Sequence, residues 1–299
     1  GPLEYLFGYL VRKNGQWSYR KLWARNRNEE REVLRQFIDE VFEIWEQHPG
    51  FHIYHYAPYE PSAIGRLASR HALYEDKVDR LLRAGRFVDL YSITKEALQA
   101  SVESYSLKET EKLAEYERKI DVREATFARR LFEAEMHVGA ADQVPQESLQ
   151  KIEIYNQDDC EATLTLRDWL EGLYSDHQKE LELTRPVPGD GAPSERVEQR
   201  NQQVAQLVER FRKLLPETDE YTKEDKINWL LMHMADYYGR ENRVQWWEFF
   251  RINALELDDL LDERTAISHM SYTGQSYQEK RSTVHKYQFT PQDTDIAEG

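Results

Sequence analysis

Residues 155–170 read YNQDDCEATLTLRDWL, and the spacing of apolar positions around them decides the layer fold. Ile152, Tyr155, Ala162, Leu166, Trp169, Leu170 and Leu173 recur every three or four residues. That spacing predicts one long amphipathic helix from about Pro145 to Tyr174. Asp159 falls inside the stripe, four residues after Tyr155, and is expected on the buried face. A carboxylate there is costly unless it is ion-paired or holds a cation. The helix alone leaves both readings open. Asp158 is expected at the edge of the stripe, as a helper or as a solvated side chain.

Upstream, Leu3 to Val11 (LEYLFGYLV) and Gln16 to Ala24 (QWSYRKLWA) read as strands, with Asn14-Gly15 as a hairpin turn between them. Helical spacing follows over Glu29 to Gln47, ended by Pro49-Gly50. Phe51 to Tyr56 reads as a strand, Pro61 to His71 and Glu75 to Ala84 as helices, and Phe87 to Leu90 as a strand leading into a helix through Ala100. Ser106, with Glu109 three residues on, predicts a capping box. This alternation ending in a long helix indicates an α/β fold, a mixed sheet with flanking helices. Thr184 to Ser194 (TRPVPGDGAPS) reads as a linker. Amphipathic helices are expected over Glu195 to Leu215 and Lys223 to Tyr238. Trp246, Trp247, Phe249 and Phe250 should form the core of a small helical unit, and Ser282 to Phe289 alternates like a strand. The expected organisation is therefore 1–182, a linker at 183–195, a helical region at 196–270, and the start of a β-containing segment at 271–299.

The chain has 299 residues with 40 Lys+Arg against 55 Asp+Glu, a net charge of −15. That balance argues against coating duplex phosphate or anionic lipid by global attraction. Contact with nucleic acid must then come from a local basic patch or through cations. Cys160 is the single cysteine, which excludes a multi-cysteine metal site and fits a reducing compartment such as the cytoplasm. No apolar run reaches the ~20 residues that a spanning helix needs. Gly1-Pro2, followed directly by a strand, is expected to be a cleavage scar on an excised piece.

Three further groups of residues bear on chemistry. Glu60 stands between a strand end and the Pro61 that opens a helix; it can point over the strand end or simply serve the helix N-terminus. Asp89, in FVDLY, reads most simply as an N-cap. His52, His55 and His71 give only a weak zinc pattern, explained as well by half-buried strand positions. There is no phosphate-binding glycine loop and no nucleophile elbow. Lys108, Arg66 and Arg70 could line a groove for a nucleic-acid strand, or be solvated surface charge.

Taken together, these stretches resemble a known family. Tyr155-Asn156-Gln157-Asp158-Asp159 matches the Tyr-x-x-x-Asp third motif of DEDD-type exonucleases, which have a ribonuclease-H-like fold. IYHYAPYE occupies the place of their second motif, with His55 for the usual Asn and Glu60 for the usual Asp. GPLEYLFG, HIYHYAPYEPSAIGRLASR, FVDLY, SVESYSLK and YNQDDCEATLTLRDWL resemble, more narrowly, the RecB-like nuclease family, large bacterial proteins often fused to a superfamily-I helicase. The resemblance spans Leu3 to about Leu173; WWEFF and KYQFTPQDTDI resemble the stretch between nuclease and helicase.

The resemblance implies metal-dependent hydrolysis of DNA or RNA phosphodiesters, from the 3′ end of a single strand. Mg²⁺ or Mn²⁺ would sit at a two-metal site in the parent protein. Glu60 and Asp159 would be metal ligands and Tyr155 would position the attacking water, with Asp158 and Asp89 as secondary ligand candidates. A single-stranded nucleic acid and a helicase domain of the same polypeptide are the implied partners, with no membrane. The family's first motif, Asp-x-Glu on the first strand, is absent from the opening hairpin. The chain as given is therefore expected to be inactive, with Leu3 to Val11 an unpaired sheet edge that promotes self-association. The alternative is a non-catalytic module that binds nucleic acid or partner domains beside a helicase.

Overall fold

Asn14 and Gly15, at φ 52° and 81°, close a two-residue turn between antiparallel strands β1 (Leu6–Lys13) and β2 (Gln16–Trp23). Positive φ at both central residues matches the right-handed twist of the strands. The computed structural model describes residues 3–139, 143–180, 182, 184–218, 220–257 and 259–296. The expected scar at Gly1-Pro2 lies outside them. The chain divides into two compact units, Gly1–Gln206 and Leu207–Gly299.

In the first unit the hairpin leads into helix α1 (Arg27–Gln47), where Asn26 caps the first turn by accepting from the N–H groups of Asn28 and Glu29. Its apolar stripe, Val33, Leu34, Phe37, Ile38, Val41 and Trp45, is buried. Phe37 meets Phe7 and Tyr9 of β1 edge-on, with ring centroids 6.0 and 5.2 Å away. Strand β3 (Ile53–His55), helices α2 (Tyr59–Arg70) and α3 (Glu75–Arg83) and strand β4 (Phe87–Asp89) follow. β3 and β4 pair in parallel, Ile53 opposite Phe87 and His55 opposite Asp89, so both strands end at the same level. Among the described residues β1 pairs only with β2, and β3 only with β4.

Helices α4 (Leu90–Ala97), α5 (Leu107–Thr110), α6 (Val122–His137) and α7 (Gln146–His177) complete the unit. The sequence gives no warning of α6, whose Ala128 and Phe132 pack with Val144 and Ile152 against Tyr5 and Trp23. Ser106 does stand at the start of α5, but its side chain makes no cap hydrogen bond and the helix lasts only four residues. The 32 residues of α7 span ~48 Å. This helix passes close to β1: a Cβ on Gly8 would lie 1.6 Å from Asn156 Oδ1, and Tyr19 Oη donates to that oxygen at 2.8 Å. Gly8 is therefore fixed by close approach rather than by its backbone angles.

The segment read as a linker docks on the first unit. Gly189 O accepts from Arg86 Nη2 and Asp190 O from Arg80 Nε, both at 3.1 Å. Gly191, at φ 69°, packs where a Cβ would meet Arg80 O at 2.3 Å. Helix α8 (Glu195–Arg212) runs through the division between the units.

The second unit holds α9 (Lys223–Met234), α10 (Tyr237–Glu241), α11 (Arg243–Asn253), α12 (Asp259–Asp262) and a hairpin of β5 (Ser271–Glu279) and β6 (Ser282–Gln288). A reciprocal Thr222–Asp225 capping box starts α9. The expected aromatic core is corrected here. Trp247 is half-buried, but Trp246, Phe249 and Phe250 touch one another and remain 55%, 54% and 61% exposed, because one short helix carries all three and no described element covers them. Among the described residues no helix is long and apolar enough to cross a membrane.

Candidate active site

The site is assembled at the shared end of β3 and β4. Beyond β3 the chain turns through Ala57, held at φ 64°, a left-handed conformation that costs a residue with a Cβ roughly 1–2 kcal/mol. Asp89 holds this turn in place. Its Oδ1 accepts from the N–H of Ala57 at 2.8 Å and of Tyr91 at 2.9 Å, and its Oδ2 accepts from Ser92 Oγ at 3.3 Å. Asp89 is thus the N-cap of α4, as the simpler reading has it, and also the clasp that sets the entry into α2. His55, buried beneath, meets Ala57 O through Nδ1 at 2.7 Å, and burial lowers its pKa, so the ring is neutral at pH 7.

Two residues into α2 from that clasp-held turn stands Glu60. It is pushed up to about 7 by burial among protein atoms, with the charges of Asp89 and Asp159 adding to the rise. Its side chain nevertheless keeps 51% of its surface exposed, so the carboxylate is open to solvent on one side. His55 Nδ1 lies 3.9 Å from Glu60 Oε2.

Asp159 and Tyr155 come to the same place from α7, one helical turn apart. Burial raises Asp159 above the usual carboxylate range while the guanidinium of Arg118 pulls the other way, as does Lys108 more weakly. Arg118 Nη2 contacts Asp159 Oδ1 at 2.8 Å. Tyr155 is raised by burial and by Asp159, and Arg118 sits over its ring, 5.3 Å from the centroid.

The expected burial of the two aspartates is corrected. Asp158 has no exposed surface, whereas the side chain of Asp159 is 36% exposed. Both flank the apolar stripe, but on opposite edges. The segment between α5 and α6 closes over Asp158: Tyr116 Oη donates to its Oδ1 at 2.9 Å, and the N–H groups of Lys119 and Ile120 donate to its Oδ2 at 2.9 and 3.3 Å. Asp159 looks instead towards the strand ends. Asp158 is consumed by structure.

Of the other candidates, Arg70 faces inward on the fully buried Glu30, which also binds Arg27 and His71. Arg66 pairs with Glu4 at 3.5 Å and lies over Tyr59. Lys108 is exposed. His55 and His71 are thus engaged by a carbonyl and a carboxylate. Sequence reasoning missed Arg118 and its partner Glu111, which lie in a charged stretch without periodicity. The only available signal was an arginine two residues after a tyrosine that itself reaches the long helix.

The donor chemistry at Glu60 and Asp159 fits a hard divalent cation. Both offer carboxylate oxygens; burial is the main reason Glu60 is raised, and the charges of Asp89 and Asp159 add to it, a smaller part that a cation would relieve. Among the described residues, however, no three or more His, Cys, Asp or Glu are gathered closely enough to hold a metal by themselves. Water or further ligands would have to complete the shell.

Comparison with known proteins agrees with this geometry at the level of fold. A family model of the RNase H superfamily matches residues 2–171, which contain the hairpin, the parallel pair and the part of α7 that carries Tyr155 and Asp159. No curated protein and no solved structure matches the chain.

Proposed function

Since the chain belongs to the RNase H superfamily, we propose that its first unit is a metal-dependent nuclease domain that hydrolyses phosphodiesters of single-stranded DNA or RNA. The carrying observation is the arrival of Glu60 and Asp159 at one strand end, with Glu60 lifted to about 7 by burial first and by the charges of Asp89 and Asp159 after it. Ligands of open α/β sheets gather at such ends. When bound there, Mg²⁺ or Mn²⁺ would supply a Lewis acid for the phosphate and lower the pKa of a water. Glu60 and Asp159 would hold the cation. Tyr155, directed by its place one turn before Asp159, orients the attacking water. Asp89 acts indirectly, because its oxygens are committed to the turn that aims Glu60.

Within this reading, the narrower resemblance favours attack from the 3′ end and a setting beside a helicase domain of the same polypeptide, in the cytoplasm. Lys108, exposed and close enough to lower Asp159, is the basic residue best placed to meet a phosphate. The net charge of −15 is compatible, since such a site recruits phosphate through its cations.

The test compares wild-type and Asp159→Asn protein for Mn²⁺ binding and for cleavage of a 3′-labelled single strand. Loss of both in a folded variant is expected. Equal cleavage by the two proteins would overturn the assignment. Binding of the strand without cleavage, in wild type and variant alike, would leave the non-catalytic module as the function; the small donor set favours that second reading for the chain acting alone.

A further inference from the structure

Arg118 is the best-connected side chain near the site, and nothing in the nuclease reading accounts for it. Its side chain is only 10% exposed. Nε and Nη2 form a fork onto the two carboxylate oxygens of Glu111, at 2.7 and 2.8 Å, and Glu111 is itself buried. Nη2 also reaches Asp159 Oδ1 at 2.8 Å. Nη1 is buried without a hydrogen-bond partner, a costly arrangement for a guanidinium nitrogen. The guanidinium carbon stands over the ring of Tyr155. One arginine therefore touches both α7 residues assigned to the chemistry while being anchored from behind by an acid that takes no part in it.

We propose that Arg118 is the resident cation of the site, a positioning residue that holds Asp159 and Tyr155 in register and competes with a divalent cation for the Asp159 carboxylate. The inference rests on the assignment of Asp159 as a metal ligand. A guanidinium cannot lose its charge at any ordinary pH, so the competition is built in. Glu111 sets its strength. By sharing the fork it neutralises part of the positive charge that would otherwise bear on Asp159 and repel a metal ion.

The two acids make the inference sharp, because removing different charges should move metal affinity in opposite directions. The experiment is a Mn²⁺ titration followed by electron paramagnetic resonance on the full chain, with circular dichroism to check folding. Arg118→Gln should bind Mn²⁺ about tenfold more tightly than wild type, as expected for removing a unit charge a few ångströms from the ion. Glu111→Gln should bind it roughly threefold more weakly, since the whole guanidinium charge then falls on Asp159. Arg118→Lys should bind Mn²⁺ more weakly than Arg118→Gln, because it keeps the positive charge; tighter binding than Arg118→Gln would count against the proposal. A purely structural arginine would move the first two variants in the same direction or not at all, and either result overturns the proposal. If Arg118→Gln does not fold, Glu111→Gln decides: weaker binding supports the proposal, unchanged or tighter binding overturns it. Asp159→Asn separates the two readings. Binding that depends on Asp159 but ignores Arg118 leaves the nuclease assignment standing and removes this one, whereas no Asp159-dependent binding in any variant removes both.

Discussion

Asp158 and Asp159 are consecutive residues of the same type on one helix, and the fold treats them in opposite ways. The edge of α7 that carries Asp158 is roofed by residues 116–120, which supply a phenol and two backbone N–H groups to one fully buried carboxylate. The edge that carries Asp159 is open, and its neighbours are charged: Arg118 on one side, Glu60 and Lys108 within electrostatic reach. A buried carboxylate with a full set of donors is a structural joint. An open one with charged neighbours keeps surface on which a further cation can compete. The difference lies in which loop covers which edge, and helical periodicity alone does not contain that information.

The contrast predicts that the structural aspartate is the costlier one to alter. In Asp158→Asn the amide nitrogen would face donors where an acceptor is needed, leaving N–H groups buried and unpaired. A loss of about 3 kcal/mol is expected, read as a lower urea midpoint with an unchanged slope. Asp159→Asn should cost less than about 1 kcal/mol, since burial already disfavours its charge and Arg118 keeps Glu111 as partner. Equal losses in the two variants would erase the distinction between the edges.

Between these extremes lies the contact that fixes which edge faces the strand ends. Gly8→Ala would place a methyl group 1.6 Å from Asn156 Oδ1 and 2.7 Å from Tyr19 Oη, so α7 must shift or Asn156 must surrender its hydrogen bond. A cost of about 2 kcal/mol is expected. Because the shift would act at the foot of the site, Mn²⁺ affinity should fall as well. Asn156→Ala in the Gly8→Ala background should restore part of the stability by making room for the methyl group.

How far the sequence could lead follows from the same residues. Strand and helix positions from Leu6 to Asp89 were legible because most elements state their own period and several their own ends: Asn14-Gly15 at the hairpin, Pro49-Gly50 after α1. The long helix was legible from its stripe. Helix α6 was not, since its sequence VREATFARRLFEAEMH spreads small and charged residues around the helix and leaves only Ala125, Ala128 and Phe132 buried. At the site, Tyr155, Asp159 and Glu60 could be nominated from the motifs of the family resemblance, and the fold places Asp159 within electrostatic reach of both Glu60 and Tyr155. Arg118 could not, because its importance arises from a turn that has no repeat. The aromatic residues of the second unit show the opposite failure. Trp246, Phe249 and Phe250 look like a core by composition, but three large rings on consecutive turns of one short helix have nothing described to pack beneath.

The smallest effect is expected at Glu60, and its sign follows from the open edge. In the unfolded chain this carboxyl titrates near its ordinary value of 4.5, whereas in the fold burial and two neighbouring acids push it up to about 7. Between those values the native state holds the proton more tightly than the unfolded state does. Its contribution is therefore full below 4.5, declines as pH rises, and is gone above about 7. Solvent at this half-exposed side chain screens the effect, so the decline should be shallow. Two measurements sharpen it. Carboxyl carbon NMR of Glu60 should show a midpoint near 7 that falls in Asp159→Asn, because one of the raising charges is gone. In Glu60→Gln the melting temperature should decline less between pH 4.5 and 7 than in wild type. A Glu60 midpoint near 4.5 in the native protein would mean that the open edge is as well solvated as any surface, and the electrostatic case for a cation there would go with it.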